Sequence, residues 1–310
     1  MHVDLEQTCV LSIPLKKALP ANARVRTFCC SSSGELLFFC LADSVRAIAA
    51  TEPSIFRDVY TCRERKLISG IGFARELMLV SIRGSESAAA PEPEPEDERD
   101  GTWREWLVWL ARSVEDEFGW TERQRVRWPF THESAPMRFG ALATSVVCAA
   151  CPSRALHAFE PDLSSNCSQQ IRCIEAPNFD SFACDGGTLV ALAHSDEAAV
   201  CVYELQADAN ALVPRHRMDI TGSSRVLWCR ECLLVASSGH ISAFSVSRSG
   251  GSLLECSANL RVECFAQADE PDDRWCAAGA QLAVYDDTRA EIRLYSLERV
   301  PPYDATRAKD

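Results

Sequence analysis

Three features of the sequence predict an all-β chain folded as a β-propeller of six or seven four-stranded antiparallel blades. Strand-like runs ending in a bulky or aromatic residue recur along the chain: SVRAIAA, REWLVWLAR, RALHAFEP, VCVYEL, HISAFSV and EIRLYSL. Their anchors, Ile48, Trp109, Phe159, Tyr203, Phe244 and Tyr295, are spaced by 61, 50, 44, 41 and 51 residues, and the first step falls to 45 once a sixteen-residue acidic tract is set aside. A period of about 40 to 50 residues is the signature of blades set around a ring. Finally, each interval divides into short apolar runs separated by turn residues, as strands of a meander must.

The first unit reads as LEQTCVLSIPL, VRTFCCS, ELLFFCLA and SVRAIAA. The fourth is the clearest: SQQIRCIEA, SFAC, TLVALAH and AAVCVYEL, with Asp185, Gly186 and Gly187 making one tight turn and Ser195 with Asp196 the next. The sixth reads as LLECSANLRV, CFAQA, QLAVYDD and EIRLYSL. A single blade cannot bury both of its faces, whereas blades packed radially cover one another, so the unit has to repeat. On this division VCVYEL closes its unit and is expected as the outermost strand of a blade, with one side against a neighbour. Residues 1–300 form one domain and 301–310 a tail.

The second unit is interrupted by GSESAAAPEPEPEDERDG. Residues 85–100 hold five Glu and two Asp against one Arg, half of the chain's formal charge of -12. Such a stretch has no apolar surface to bury, and its alternating prolines oppose helix and sheet, which predicts a disordered acidic insertion over 85–101. Residues 103–118 admit two assignments. Thr102 and Glu105 have capping-box spacing, and Trp103, Trp106, Leu107, Leu110, Val114 and Phe118 share a helical face. Glu115, Asp116 and Glu117 would sit at the unfavourable end of that helix, and the period demands a strand, so strand is preferred.

The pattern resembles the WD40 propeller family over about 290 residues. EIRLYSL is similar to that family's closing strand, with Tyr295 and Ser296 where its Trp-Asp pair falls, and SSGHISAFSV resembles the turn leading into it. The resemblance implies a non-catalytic interaction scaffold. Six units are also similar to the six-bladed subunits of vesicle-coat and nuclear-pore assemblies, in which a partner completes the propeller by strand addition.

Composition narrows the function classes. A 47% hydrophobic content supports a sizeable core, and no run of about 18 apolar residues could span a bilayer. Without a recognisable signal peptide, the sixteen cysteines read as reduced thiols of an intracellular, cytoplasmic or nuclear protein, buried as small apolar residues in runs such as ELLFFC and SVVCAAC. The acidic balance opposes a surface built wholly for nucleic acid.

No Walker loop, GxSxG elbow or GxGxxG is present, and the six histidines form no close pair. The pairs Cys148/Cys151 and Cys229/Cys232 have half-zinc-site spacing, but 77 residues part them, far more than in a zinc ribbon. No cofactor, metal site or catalytic residue is therefore assigned. The candidate partner-binding residues are two tryptophans of a crowded segment, Trp103 and Trp106, and two arginine stripes, Arg123, Arg125 and Arg127 in TERQRVRW and Arg215 and Arg217 in VPRHRM. One or more protein subunits are the expected partners. A non-catalytic role in an RNA-processing complex, using the arginines, is the alternative, and an enzyme with an axial-funnel site is the third reading.

Overall fold

A strand covered on both faces needs apolar residues at successive positions, because side chains alternate across a sheet. The run Leu36–Cys40 is of this kind, and all five of its side chains are buried. The computed structural model describes residues 9–15, 19, 25–31, 35–62, 67–74, 77–84, 104–113, 119–128, 137–160, 171–206, 210–220, 224–229, 232–237, 240–245, 254–261, 275–278, 281–286 and 289–297. In it, runs like this form the inner strands of six four-stranded antiparallel sheets, with no helix among the described residues.

Strand β1 (Cys9–Pro14) comes first in the chain. Blade I is β2 (Thr27–Cys30), β3 (Leu36–Cys40), β4 (Ser44–Ala49) and β5 (Glu52–Thr61). Blade II is β6 (Leu67–Ala74), β7 (Leu77–Gly84), β8 (Arg104–Arg112) and β9 (Trp120–Arg127). Blade III follows as β10 (Met137–Ala141), β11 (Val146–Ala150), β12 (Ser153–Phe159) and β13 (Arg172–Phe179). Blade IV is β14 (Ser181–Cys184), β15 (Leu189–His194), β16 (Ala199–Gln206) and β17 (Ala211–Asp219). Blade V is β18 (Ser224–Cys229), β19 (Cys232–Ser237), β20 (His240–Ser245) and β21 (Leu254–Arg261). Blade VI takes β22 (Trp275–Ala278), β23 (Gln281–Asp286) and β24 (Glu291–Ser296) from one part of the chain and its fourth strand, β1, from the other.

The ring is thus six-bladed, and it closes on itself. β1 pairs antiparallel with β24, Leu15 extends the ladder through a 2.8 Å bond to the Ala290 carbonyl, and Ser12 Oγ donates to Glu291 at 2.9 Å. The fourth strand of blade VI is thus the chain's own β1.

The core is divided into six apolar clusters among the described residues, one at each seam between neighbouring blades. Alternation within single strands feeds them. Leu36, Phe38 and Cys40 of β3 face blade II, while Leu37 and Phe39 face blade VI. Likewise Cys201, Tyr203 and Leu205 of β16 face blade III, while Val200 and Val202 face blade V. VCVYEL is therefore the third strand of its blade, packed on both sides, and not the outermost strand.

The whole division of the repeat shifts by one strand for the same reason. SQQIRCIEA reads as the start of unit four, yet β13 hydrogen-bonds to β12 and is the outer edge of blade III. The LEQTCVLSIPL run likewise belongs to blade VI, not blade I. His157 and His240 likewise lie on third strands. Residues 104–112 are a strand, as the period requires, and not a helix. The acidic insertion joins the second and third strands of blade II, and residues 85–101 and 301–310 lie outside the described residues.

One irregularity recurs. The ladder between third and fourth strands carries a register shift in all six blades, for example between Val202 and Tyr203 on β16, Trp109 and Leu110 on β8, and Cys9 and Leu11 on β1. Bulges raise local twist and break the flat row of edge donors and acceptors, which blunts an outer strand against edge-to-edge pairing.

Candidate functional site on the ring axis

The first strand of every blade contributes to a cavity of about 180 Å³ on the ring axis. Five blades contribute aromatic residues to its lining, Phe28, Phe73, Phe139, Phe182 and Trp275, and Leu227 comes from the sixth. Two adjacent inner strands meet here only because one of them is trimmed. A Cβ on Gly70 would overlap the Met137 carbonyl, and one on Gly72 would lie 2.5 Å from Phe139 Cβ. Glycines two apart on β6 therefore let the backbones of blades II and III approach.

Arg138 of β10 is the one charged side chain among the described lining residues. Its Nη1 donates to Ser181 Oγ at 3.0 Å, and that fully buried hydroxyl also accepts from the Val226 amide at 3.3 Å. Blades III, IV and V are thereby tied at one point of the wall. Arg225 adds a 3.3 Å bond to the Asp180 carbonyl. The described lining contains no Asp, Glu or His. It contains Cys29, Cys30 and Cys276, and burial pushes the Cys29 and Cys276 thiols well above the ordinary thiol range. Both remain protonated at neutral pH, and a protonated buried thiol is a poor nucleophile.

The candidates read from sequence lie elsewhere, on outer strands, and the fold does not bring the two stripes together: β9 edges blade II and β17 edges blade IV. Arg125 makes bonds of 3.0 and 2.8 Å to Glu122 and 3.3 Å to the Tyr60 hydroxyl of blade I. The Glu122 hydrogen bond raises the Arg125 pKa, and burial pushes the Tyr60 phenol up to about 12. Arg215 is paired with Glu204, and Arg217 reaches Glu197 at 2.8 Å and Asp219 at 3.4 Å. Arg123 is exposed on β9; Arg127 belongs to the same strand, at a position opposite Trp106. Trp106 is half-buried, and Trp103 lies outside the described residues.

The other tryptophans of that segment pack between blades. Trp109 is fully buried edge-on to Phe159 of blade III at 5.0 Å, Trp120 meets Phe38 of blade I at 5.6 Å, and Trp128 meets His157 at 5.1 Å. Cys148 and Cys229 are buried in β11 and β18, and Cys229 faces Cys232 across the first hairpin of blade V. Among the described residues no group of three or more His, Cys, Asp or Glu is placed to hold a metal ion.

Sequence reasoning missed Arg138, Ser181 and a knot joining blades III and IV. In that knot His194 Nδ1, 2.6 Å from the Asn178 carbonyl, and the Ser195 amide, 2.9 Å from Asp180 Oδ2, fasten the β15–β16 turn to the blade junction. Asn178 also donates to Asp196 at 3.0 Å. One signal was present for Arg138: a lone arginine inside the apolar run MRFGA.

No family model matches the sequence, and no curated protein does. Solved structures do. A functionally unknown protein from Desulfotomaculum acetoxidans superposes with a TM-score of 0.58 at 7% identity, over 90% of this chain and 84% of that one. The major Malassezia sympodialis allergen Mala s 1 gives 0.57 at 9% identity, over 95% and 98%. The Cps50 (Swd1) β-propeller domain of Myceliophteria thermophila gives 0.54 at 10% identity, over 89% and 99%. At such identities the likeness extends to architecture alone: the chain is a six-bladed β-propeller.

Proposed function

We propose that this chain is a non-catalytic protein-interaction scaffold within a larger intracellular complex, whose partner docks on a ring that is already complete. The observation that carries this reading is the axial wall, where a propeller enzyme would gather its reacting groups. Among the described residues that wall holds rings, aliphatic groups, protonated thiols and one guanidinium, with no carboxylate or imidazole to move a proton. A further feature supports it: the bulged outer strands leave the loops and the rim as the surfaces for recognition.

The test is purification of the tagged full chain from its own cells at moderate salt, with and without nuclease, followed by stoichiometric mass spectrometry. A constant protein partner that survives nuclease is the expected result. Partners that vanish with nuclease would replace this reading with an RNA-linked one, and a chain recovered with no stoichiometric partner would overturn the scaffold reading.

A further inference from the structure

We infer that Cys30 and Cys276 are an oxidisable pair whose disulfide locks the ring where blades VI and I meet. Alternation along β2 splits its two adjacent cysteines between seams. Cys29 packs with residues of blade II, whereas Cys30 joins the cluster shared with blade VI, which also holds Cys276 of β22. The two thiols are in hydrogen-bond contact across that seam, and both residues line the axial cavity. Neither is sealed off: Cys30 keeps 9% of its surface exposed and Cys276 7%. A disulfide needs Cα atoms about 4.4–6.8 Å apart, a spacing that belongs to adjacent strands with side chains turned towards each other. Cys29 and Cys30 do not meet that need with one another, because consecutive side chains of a strand point to opposite faces.

The cavity selects the oxidant. At about 180 Å³ it admits hydrogen peroxide, which is little larger than water, and excludes a molecule the size of glutathione disulfide. Burial holds Cys276 protonated, so Cys30 attacks first. Its sulfur bonds to one peroxide oxygen as the O–O bond breaks, and the departing hydroxide takes the thiol proton away as water, leaving a sulfenic acid. The Cys276 sulfur then displaces the sulfenic hydroxyl, which departs with the Cys276 proton as a second water. The two thiols have lost two electrons, and peroxide has gained them.

In the reduced chain non-covalent contacts hold this seam, the β1 ladder and apolar packing among them. In the oxidised chain, positions about 245 residues apart are tied covalently, which restricts the unfolded ensemble and keeps blades VI and I together when β1 frays. The lock concerns the ring itself and does not depend on the interaction role proposed above.

The experiment treats the reduced, purified full chain with hydrogen peroxide near neutral pH, alkylates the remaining thiols and maps disulfides by tandem mass spectrometry without reduction. The folded chain should carry the Cys30–Cys276 link, about 2 Da lighter, and its urea midpoint should rise by about 1 M over the reduced chain, a gain that dithiothreitol reverses. Cys30→Ala and Cys276→Ala should each lose both the link and the gain, and Cys184→Ala should keep both. If neither of the first two variants folds, the disulfide map of the parent chain decides. Absence of the link from the folded chain, pairing of either residue with another cysteine, or a link that leaves the midpoint unchanged would each overturn the inference.

Discussion

The seam between blades II and III and the seam between blades VI and I do the same job by different means. Blades II and III follow one another in the chain, and their inner strands approach so closely that two glycines are needed, while Trp109 and Phe159 fill the space further out. Blade VI is itself closed by segments about 280 residues apart, with Ser12 of β1 bonded to Glu291 of β24, and it meets blade I over a cluster that includes Ile13, Leu15, Phe28 and Ile292. The first seam is limited by room and the second by attachment. Adding atoms breaks the one, and weakening a strand's grip breaks the other.

Substitutions separate the two modes. Ile13 is fully buried at the closing seam, so Ile13→Asp places an unpaired charge there and should remove about 3 kcal/mol or more, read as a large drop in the urea midpoint. Gly70→Ala forces the new methyl against the Met137 carbonyl and should remove about 1–3 kcal/mol, read as an earlier midpoint in urea.

A third seam, between blades I and II, is sensitive to alkali at its outer end, where Tyr60 meets Arg125. Burial raises the Tyr60 phenol from 10 to about 12 in the folded chain, and it does the same for Tyr203 in blade IV. Between these values the unfolded chain has lost protons that the folded chain keeps. Stability therefore falls as pH rises from about 10 towards 12 and is indifferent to these groups below that window. Ultraviolet titration of tyrosinate should show Tyr60 and Tyr203 among the late phenols, and both should titrate normally in denaturant.

The rim sets the scale for the smallest effect. Arg215 and Glu204 are both partly exposed, so Arg215→Ala should leave stability within about 0.5 kcal/mol of the parent chain in thermal melts.

The strands and their number were legible because turn residues and two-residue alternation are local signals. Asp185 illustrates this: its carboxylate accepts from the Gly187 and Leu189 amides at 2.7 and 2.9 Å, and Gly186 adopts φ +78°, the turn that the Asp-Gly-Gly sequence announces. The phase of the repeat was not legible. Whether β13 starts one blade or ends another depends on its pairing with β12, and a period is unchanged when every unit slides by one strand. Closure by β1 escaped notice for the same reason, since Cys9–Pro14 finds its partner across the length of the chain.

The axial site was half visible. SGIGFA places glycines two apart in a strand-like run, a sign of close backbone approach, and MRFGA carries an arginine among apolar neighbours. What joins them is convergence on the axis, which no single segment encodes. The arginine stripes, by contrast, stand out in sequence, yet in blades II and IV their members Arg125, Arg215 and Arg217 are engaged by carboxylates of this same chain.

The most direct test of a self-closed ring is hydrogen–deuterium exchange on the purified chain alone, read by mass spectrometry over residues 9–15 and 291–296. Closure by β1 predicts that the amides of Leu11 to Leu15 that enter the ladder are protected alongside those of β24 and lose protection together with it in the Ile13→Asp chain. Rapid exchange of residues 9–15 beside a protected β24 would contradict it and return the fourth strand of blade VI to a partner.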